Sequence, residues 1–144
     1  MDETGELFFT GGVAGGYGIL VSQEYSREYI LGLLNSKLLE WFIRQSATQM
    51  RGGYFSYESR FIRNLPICII NISGPIDKAR HDRMVKLVEQ MLSLHKQLAA
   101  AKTPDEKTRI QRQIDATDRQ IDHLVYELYS LTEKEIQIIE GKTK

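Results

Sequence analysis

Cysteine is nearly missing from this chain: Cys68 stands alone. A single thiol excludes an internal disulfide framework and a cysteine-rich zinc site. Its setting, Pro-Ile-Cys-Ile-Ile, places no activating base close by in sequence. It reads as a small buried hydrophobe. Long apolar runs are missing too, and none approaches the roughly 18 residues a membrane-spanning helix requires. Residues 1–26 contain no Lys or Arg, only Asp2, Glu3, Glu6 and Glu24. The start therefore lacks the basic head of a signal peptide, and the reading is cytoplasmic with no membrane partner. A surplus of either charge is absent as well: 19 Lys and Arg balance 19 Asp and Glu. That balance speaks against a chain that is a nucleic-acid binder throughout.

The balance hides a pattern. Residues 27–80 hold eight bases (Arg27, Lys37, Arg44, Arg51, Arg60, Arg63, Lys78, Arg80) against Glu28, Glu40, Glu58 and Asp77. The same stretch carries most of the aromatic residues, while residues 81–144 are neutral at eleven against eleven. A basic, aromatic middle is the footprint expected of a surface that meets phosphates, although basic patches also occur on ordinary surfaces.

The second half has a clear period. Met84, Leu87, Met91, Leu94, Leu98 and Ala101 follow one another in steps of 3, 4, 3, 4, 3. After Ala-Lys-Thr-Pro-Asp-Glu the seam resumes at Ile110, Ile114, Thr117, Ile121, Leu124, Leu128 and Leu131. This is the a/d spacing of paired helices. Thr103, Pro104 and Glu106 form a helix start with a capping box, so two helices joined by a short turn must run antiparallel. Val88, Leu92, His95, Val125, Tyr126 and Tyr129 flank the seams and are expected to pack on the first half. The tip, Ala99 to Thr108, is expected in water. His95 and His123 read as core or half-buried histidines rather than a metal pair, because no carboxylate or cysteine spacing supports them. Thr132 and Glu135 form a second capping box before a short helix that Gly141 ends.

The first half is built of shorter pieces. Gly5–Gly12 and Tyr17–Gln23 read as short strands around the loop Gly11–Gly16. That loop has no Gly-Lys-Ser/Thr ending and no helix directly after it, so it is no phosphate-binding loop by pattern. Ser26 caps a helix with Tyr29, Ile30, Leu33 and Leu34 inward. Ser36 caps a second, with Leu38, Leu39, Trp41, Phe42 and Ile43 mostly inward. Arg51-Gly52-Gly53 ends it, Tyr54–Tyr57 alternates like an edge strand, a helical turn covers Ser59–Asn64, and Cys68–Ile72 reads as a buried strand. The fold class expected is α+β. Residues 1–74 would be a small, partial, mixed strand and helix domain, 75–131 a long antiparallel coiled-coil hairpin, and 132–144 a short C-terminal helix and tail.

Five phrases then occur in order: the run Leu33–Leu39 (LLNSKLL), Gly53-Tyr54, Asn64–Ile67 (NLPI), a long helix, and IDHLVYELYSLTEKEI at 121–136. Together they resemble the TaqI-like C-terminal specificity (target recognition) domains of type IIG restriction–modification enzymes and adenine-specific DNA methyltransferases. They are also similar to the specificity subunits of type I systems. The resemblance runs from about residue 7 to residue 140. It implies a DNA sequence-recognition fragment that positions the catalytic module of a larger enzyme. The implied partners are duplex DNA, the rest of the parent chain, and a second copy through the hairpin. The chain has no Asn-Pro-Pro-Tyr motif, no glycine-rich cofactor loop and no convincing nuclease pattern, since Pro104-Asp105-Glu106-Lys107 is the hairpin turn. Catalysis, with S-adenosylmethionine and Mg, is therefore expected of other modules of the parent, and no cofactor of this fragment.

For such a role, Lys and Arg meet phosphates, Arg reads guanine, and Asn and Gln read adenine. The candidates are Arg44, Gln45, Gln49, Arg51, Tyr54, Tyr57, Arg60 and Arg63. Gly52 and Gly53 would permit close approach of backbone to the duplex, and Tyr17 marks a second loop. The plainer readings are that Arg60 and Arg63 solvate a short helix, that Tyr54 or Tyr57 packs on the core, and that Trp41 and Phe42 are core. The competing function is a protein-interaction module that uses the helical hairpin without touching DNA.

Overall fold

The computed structural model describes residues 18–21 and 25–142. Six helices follow one another in that span: α1 Arg27–Leu34, α2 Lys37–Ser46, α3 Ser59–Ile62, α4 Pro75–Ala100, α5 Pro104–Leu128 and α6 Glu133–Ile139. Their starts are chemically defined. The side chains of Ser26, Ser36, Thr103 and Thr132 accept the backbone N–H of Tyr29, Leu39, Glu106 and Glu135. At Thr132 the capping box is complete. At Thr103 it is half made, because the Glu106 carboxylate takes the N–H of Lys102 instead.

α4 and α5 form the antiparallel pair. The seam is buried as spaced: Met84, Leu87, Leu94 and Ala101 on one side, Ile110, Ile114, Thr117, Ile121 and Leu124 on the other, with Met91, Leu98 and Leu128 partly covered. Thr117 is accommodated by hydrogen bonds: its hydroxyl donates to the Gln113 carbonyl and accepts from the Gln90 amide. Ala101 is buried, so the tip is less wet than its sequence suggests. The burial of the seam residues divides into two cores. Leu94, Ala101, Ile110 and Ile114 close the outer end. At the inner end Val88, Val125 and Tyr126 join Tyr29, Leu33, Leu38 and Leu39, which stacks α1 on α4 and α2 on α5. His95 and His123 are exposed, contrary to expectation. A seam two residues wide in each heptad leaves the flanking position 95 in solvent, and His123 sits on the outer side of α5.

The α+β assignment is overturned. Among the described residues there is no sheet, only an isolated antiparallel bridge between Gln49 and Phe55. Gly5–Gly12 lies outside the described residues, and of Tyr17–Gln23 the described residues 18–21 form no strand. Cys68–Ile72 has the β-branched composition of a strand but no partner strand. Two tyrosines pair with the backbone at its first residue instead. The Tyr29 hydroxyl donates to the Cys68 carbonyl at 3.0 Å, and the Tyr129 hydroxyl accepts the Cys68 N–H at 3.0 Å while donating to the Pro66 carbonyl. A backbone that must be paired somewhere is paired to side chains of α1 and the end of α5. Replacing Tyr129 with Phe is expected to lower stability by about 1–2 kcal/mol, because a donor and an acceptor lose their partner. Urea unfolding together with amide exchange at Cys68 tests this. An unchanged midpoint and unchanged exchange would sink the clamp.

Candidate nucleic-acid interface

The segment between α2 and α3 folds into a small hairpin. The Met50 N–H donates to the Tyr54 carbonyl at 2.6 Å, Gly53 to Met50 at 3.2 Å, and Ser56 to Thr48 at 3.0 Å. The turn is Met50-Arg51-Gly52-Gly53. Gly52 and Gly53 have φ of +92° and +85°, a region that side-chain-bearing residues rarely enter. At Gly52 a Cβ would also meet the Tyr54 ring at 3.2 Å. The glycine pair therefore makes the turn, and the turn puts Arg51 on an exposed tip.

The hairpin is tied at both ends. Arg44, in the last turn of α2, lays its guanidinium over the Phe55 ring at 5.1 Å and pairs with Glu40 one turn back. At the other end the Ser56 hydroxyl donates to Glu58 at 2.8 Å, and Arg60 reaches the same carboxylate at 3.0 Å. The Ser56 hydroxyl and then Arg60 hold the Glu58 carboxyl below its usual range. Arg60 also lies over Phe61 at 4.6 Å.

The sequence candidates therefore separate. Arg44, Gln45, Gln49, Arg51, Gly52, Gly53, Tyr54, Tyr57, Arg60 and Arg63 are all exposed. Tyr54 is 74% exposed and does not pack on the core. Tyr57 is partly turned inward and lines a hollow of about 470 Å³ with Leu39, Ile43 and Ile62. The Gln45 amide donates to the Trp41 carbonyl of its own helix. Arg60 is held by Glu58, the only acid among residues 44–63. Among the described residues Arg51 and Arg63 make no ion pair. Tyr17 lies outside the described residues. Trp41 and Phe42 are half-buried rather than core. Among the described residues no group of His, Cys, Asp or Glu is arranged to hold a metal. No helix among them is long and apolar enough to cross a membrane.

Of the comparisons with known proteins, the family model covers this stretch and the curated relative spans nearly the whole chain. Residues 16–67 match the family model of the TaqI-like C-terminal specificity domain. The chain is 28% identical over 134 residues to the type II restriction enzyme and methyltransferase RM.Eco57I of Escherichia coli. That match covers 91% of this chain and 13% of the length of that relative. No solved structure matches. The likeness to TaqI-like C-terminal specificity domains read from the residues therefore holds, and it is anchored on residues 16–67, the stretch that contains the exposed arginine-glycine hairpin.

Proposed function

We propose that this chain is a DNA-recognition module of a restriction–modification enzyme and that residues 44–63 form its DNA face. The observation that carries the reading is the hairpin. It projects Arg51 on a turn that only glycines make readily, inside the stretch that matches a specificity domain. Segment 44–63 holds four arginines and one acid, and that acid is neutralised by Arg60. What faces solvent is thus net positive, although the whole chain is neutral. Phosphate contacts supply affinity and register, and base edges supply the choice of site.

In this reading methyl transfer and cleavage, with their S-adenosylmethionine and Mg, belong to the portions of a longer enzyme that correspond to the unmatched length of the relative. This module would fix those portions on one sequence. The rival role, a protein-interaction module on the α4–α5 pair without DNA contact, has less support because its apolar seam is already covered within the chain: Leu94, Ile110 and Ile114 bury against each other, and Met84 and Leu124 bury in the inner core.

The test is fluorescence-polarisation binding to random-sequence duplex DNA at low and moderate salt. Arg51→Ala and Arg63→Ala are each expected to weaken binding at all sequences and to reduce the slope of log affinity against log salt by about one. Arg60→Ala is expected to do less, since its charge is already shared with Glu58. Wild-type binding that ignores salt, or ignores these arginines, overturns the assignment of the face.

A further inference from the structure

α2 has a second face beside the hairpin, meeting it at Arg44. Lys37, Trp41 and Arg44 stand at spacings of four and three, so they share one side of the helix, opposite the buried Leu38, Leu39 and Ile43. Two cations arrive on that side from far along the chain: Arg119 from α5, and Lys142 from just beyond α6. Together they line an open cleft of about 490 Å³ with Trp41 in its wall. Arg44 belongs to both features, since its guanidinium also lies over Phe55 of the hairpin. The cleft and the hairpin are therefore adjoining parts of one surface.

We infer that the cleft between α2, α5 and α6 is a second binding site for DNA backbone phosphates, continuing the DNA track from the hairpin along the polar side of α2. This inference rests on the DNA-recognition reading and extends it to residues outside 44–63. The lining holds four cations against two carboxylates, Glu40 and Glu140. Those carboxylates are engaged by Arg44 and Lys142. Both pairs are at the surface, and such pairs hold weakly against a competing anion. Arg119 makes no ion pair among the described residues, so it is the cation readiest to meet a phosphate. Lys37 is different. It is held by the buried Asp122 at 3.0 Å, and it serves to shape the wall rather than to reach the ligand. Trp41 places a half-buried apolar ring in the wall, beside these cations.

The chain contains one tryptophan, so Trp41 emission reports on this cleft alone. The experiment is a titration of the 144-residue chain with random-sequence duplex DNA, read simultaneously by polarisation of the labelled DNA and by Trp41 emission. Arg119→Ala/Lys142→Ala and Arg51→Ala are run beside wild type, with circular dichroism to confirm helix content. The expected result is a Trp41 change that tracks binding. In the double variant affinity should fall about tenfold and the salt slope by about two. Arg51→Ala should weaken binding but keep the Trp41 change at saturation. Binding that depends on Arg51 while Trp41 stays silent and the double variant matches wild type would remove the cleft from the DNA path and leave the hairpin reading standing. Absence of any DNA binding by wild type at low salt would overturn both.

Discussion

Replacing Gly32 with valine is expected to destabilise the protein by about 3 kcal/mol, read as a lower urea midpoint with an unchanged slope. Gly32 lies inside α1, where glycine costs about 1 kcal/mol relative to alanine. The packing explains why it is there. A Cβ at this position would sit 2.5 Å from the Met84 sulfur, 3.1 Å from Met84 Cγ and 3.0 Å from a Val88 methyl. Met84 is completely buried and Val88 nearly so, with Tyr29, Leu33 and Leu124 in the same cluster. The thioether is flexible, yet the space it would swing into is occupied. Valine adds three carbons where the first already collides, and its helix preference returns only a few tenths of a kcal/mol.

Gly32→Ala is the milder test, because a gain of about 1 kcal/mol in helix preference opposes the clash. Combining it with Met84→Ala makes the argument specific. Met84→Ala alone opens a cavity and costs about 2–5 kcal/mol. If close approach of α1 to α4 is the reason for Gly32, the double variant is more stable than the sum of the two by about 1 kcal/mol or more. Strict additivity would mean that Gly32 serves something else.

How far the fold was legible depends on where its constraints lie. The α4–α5 hairpin was legible because its stabilising contacts repeat along one chain, so the period of Met84 to Ala101 and Ile110 to Leu131 encodes them directly. The helix starts at Ser26, Ser36, Thr103 and Thr132 were legible for a similar reason: a cap acts on backbone two or three residues away. Cys68–Ile72 forms no strand because strand preference is a statement about packing with neighbours, and here the neighbours are helices. Nothing local announces that Tyr29 and Tyr129 hold Cys68 from 39 and 61 positions away. For the candidate face, the glycine pair at 52 and 53 reads in sequence as the end of the second helix and a place for close backbone approach; in the structure that helix ends at Ser46 and the pair makes the turn that aims Arg51. The cleft was not legible, since Arg119 and Lys142 reach it only through the docking of α2 against α5 and α6. Its one local sign was the spacing of Lys37, Trp41 and Arg44, and assigning Trp41 to the core masked it.

Asp122 is the residue whose role the sequence conceals most, and its replacement by alanine is expected to cost about 2–3 kcal/mol. A charged residue beside the seam of a long helix reads as solvated, yet Asp122 is 4% exposed. One carboxylate oxygen accepts the backbone N–H of Lys37 at 2.9 Å, and the other pairs with the Lys37 ammonium at 3.0 Å. Lys37 is the first residue of α2, so the carboxylate meets an N–H the helix leaves unpaired, at the positive end of its dipole. The arm thus caps α2 from 85 positions away. Asp122→Asn keeps an acceptor for the N–H and removes the charge, so about 1 kcal/mol is expected there, most of it from the ion pair. The partly exposed Lys37 ammonium can return to water, which keeps this figure modest. The pH dependence has a definite sign. The Asp122 hydrogen bond holds the Lys37 pKa above its ordinary value. Its contribution is therefore fully present below the ordinary lysine pKa and is lost only as pH rises through the raised one. Urea midpoints measured from neutral to strongly alkaline pH should fall more steeply for wild type than for Asp122→Asn, and the two curves should draw together at the alkaline end. Parallel curves would show that the ammonium contributes nothing and that Asp122 acts on α2 solely as a cap.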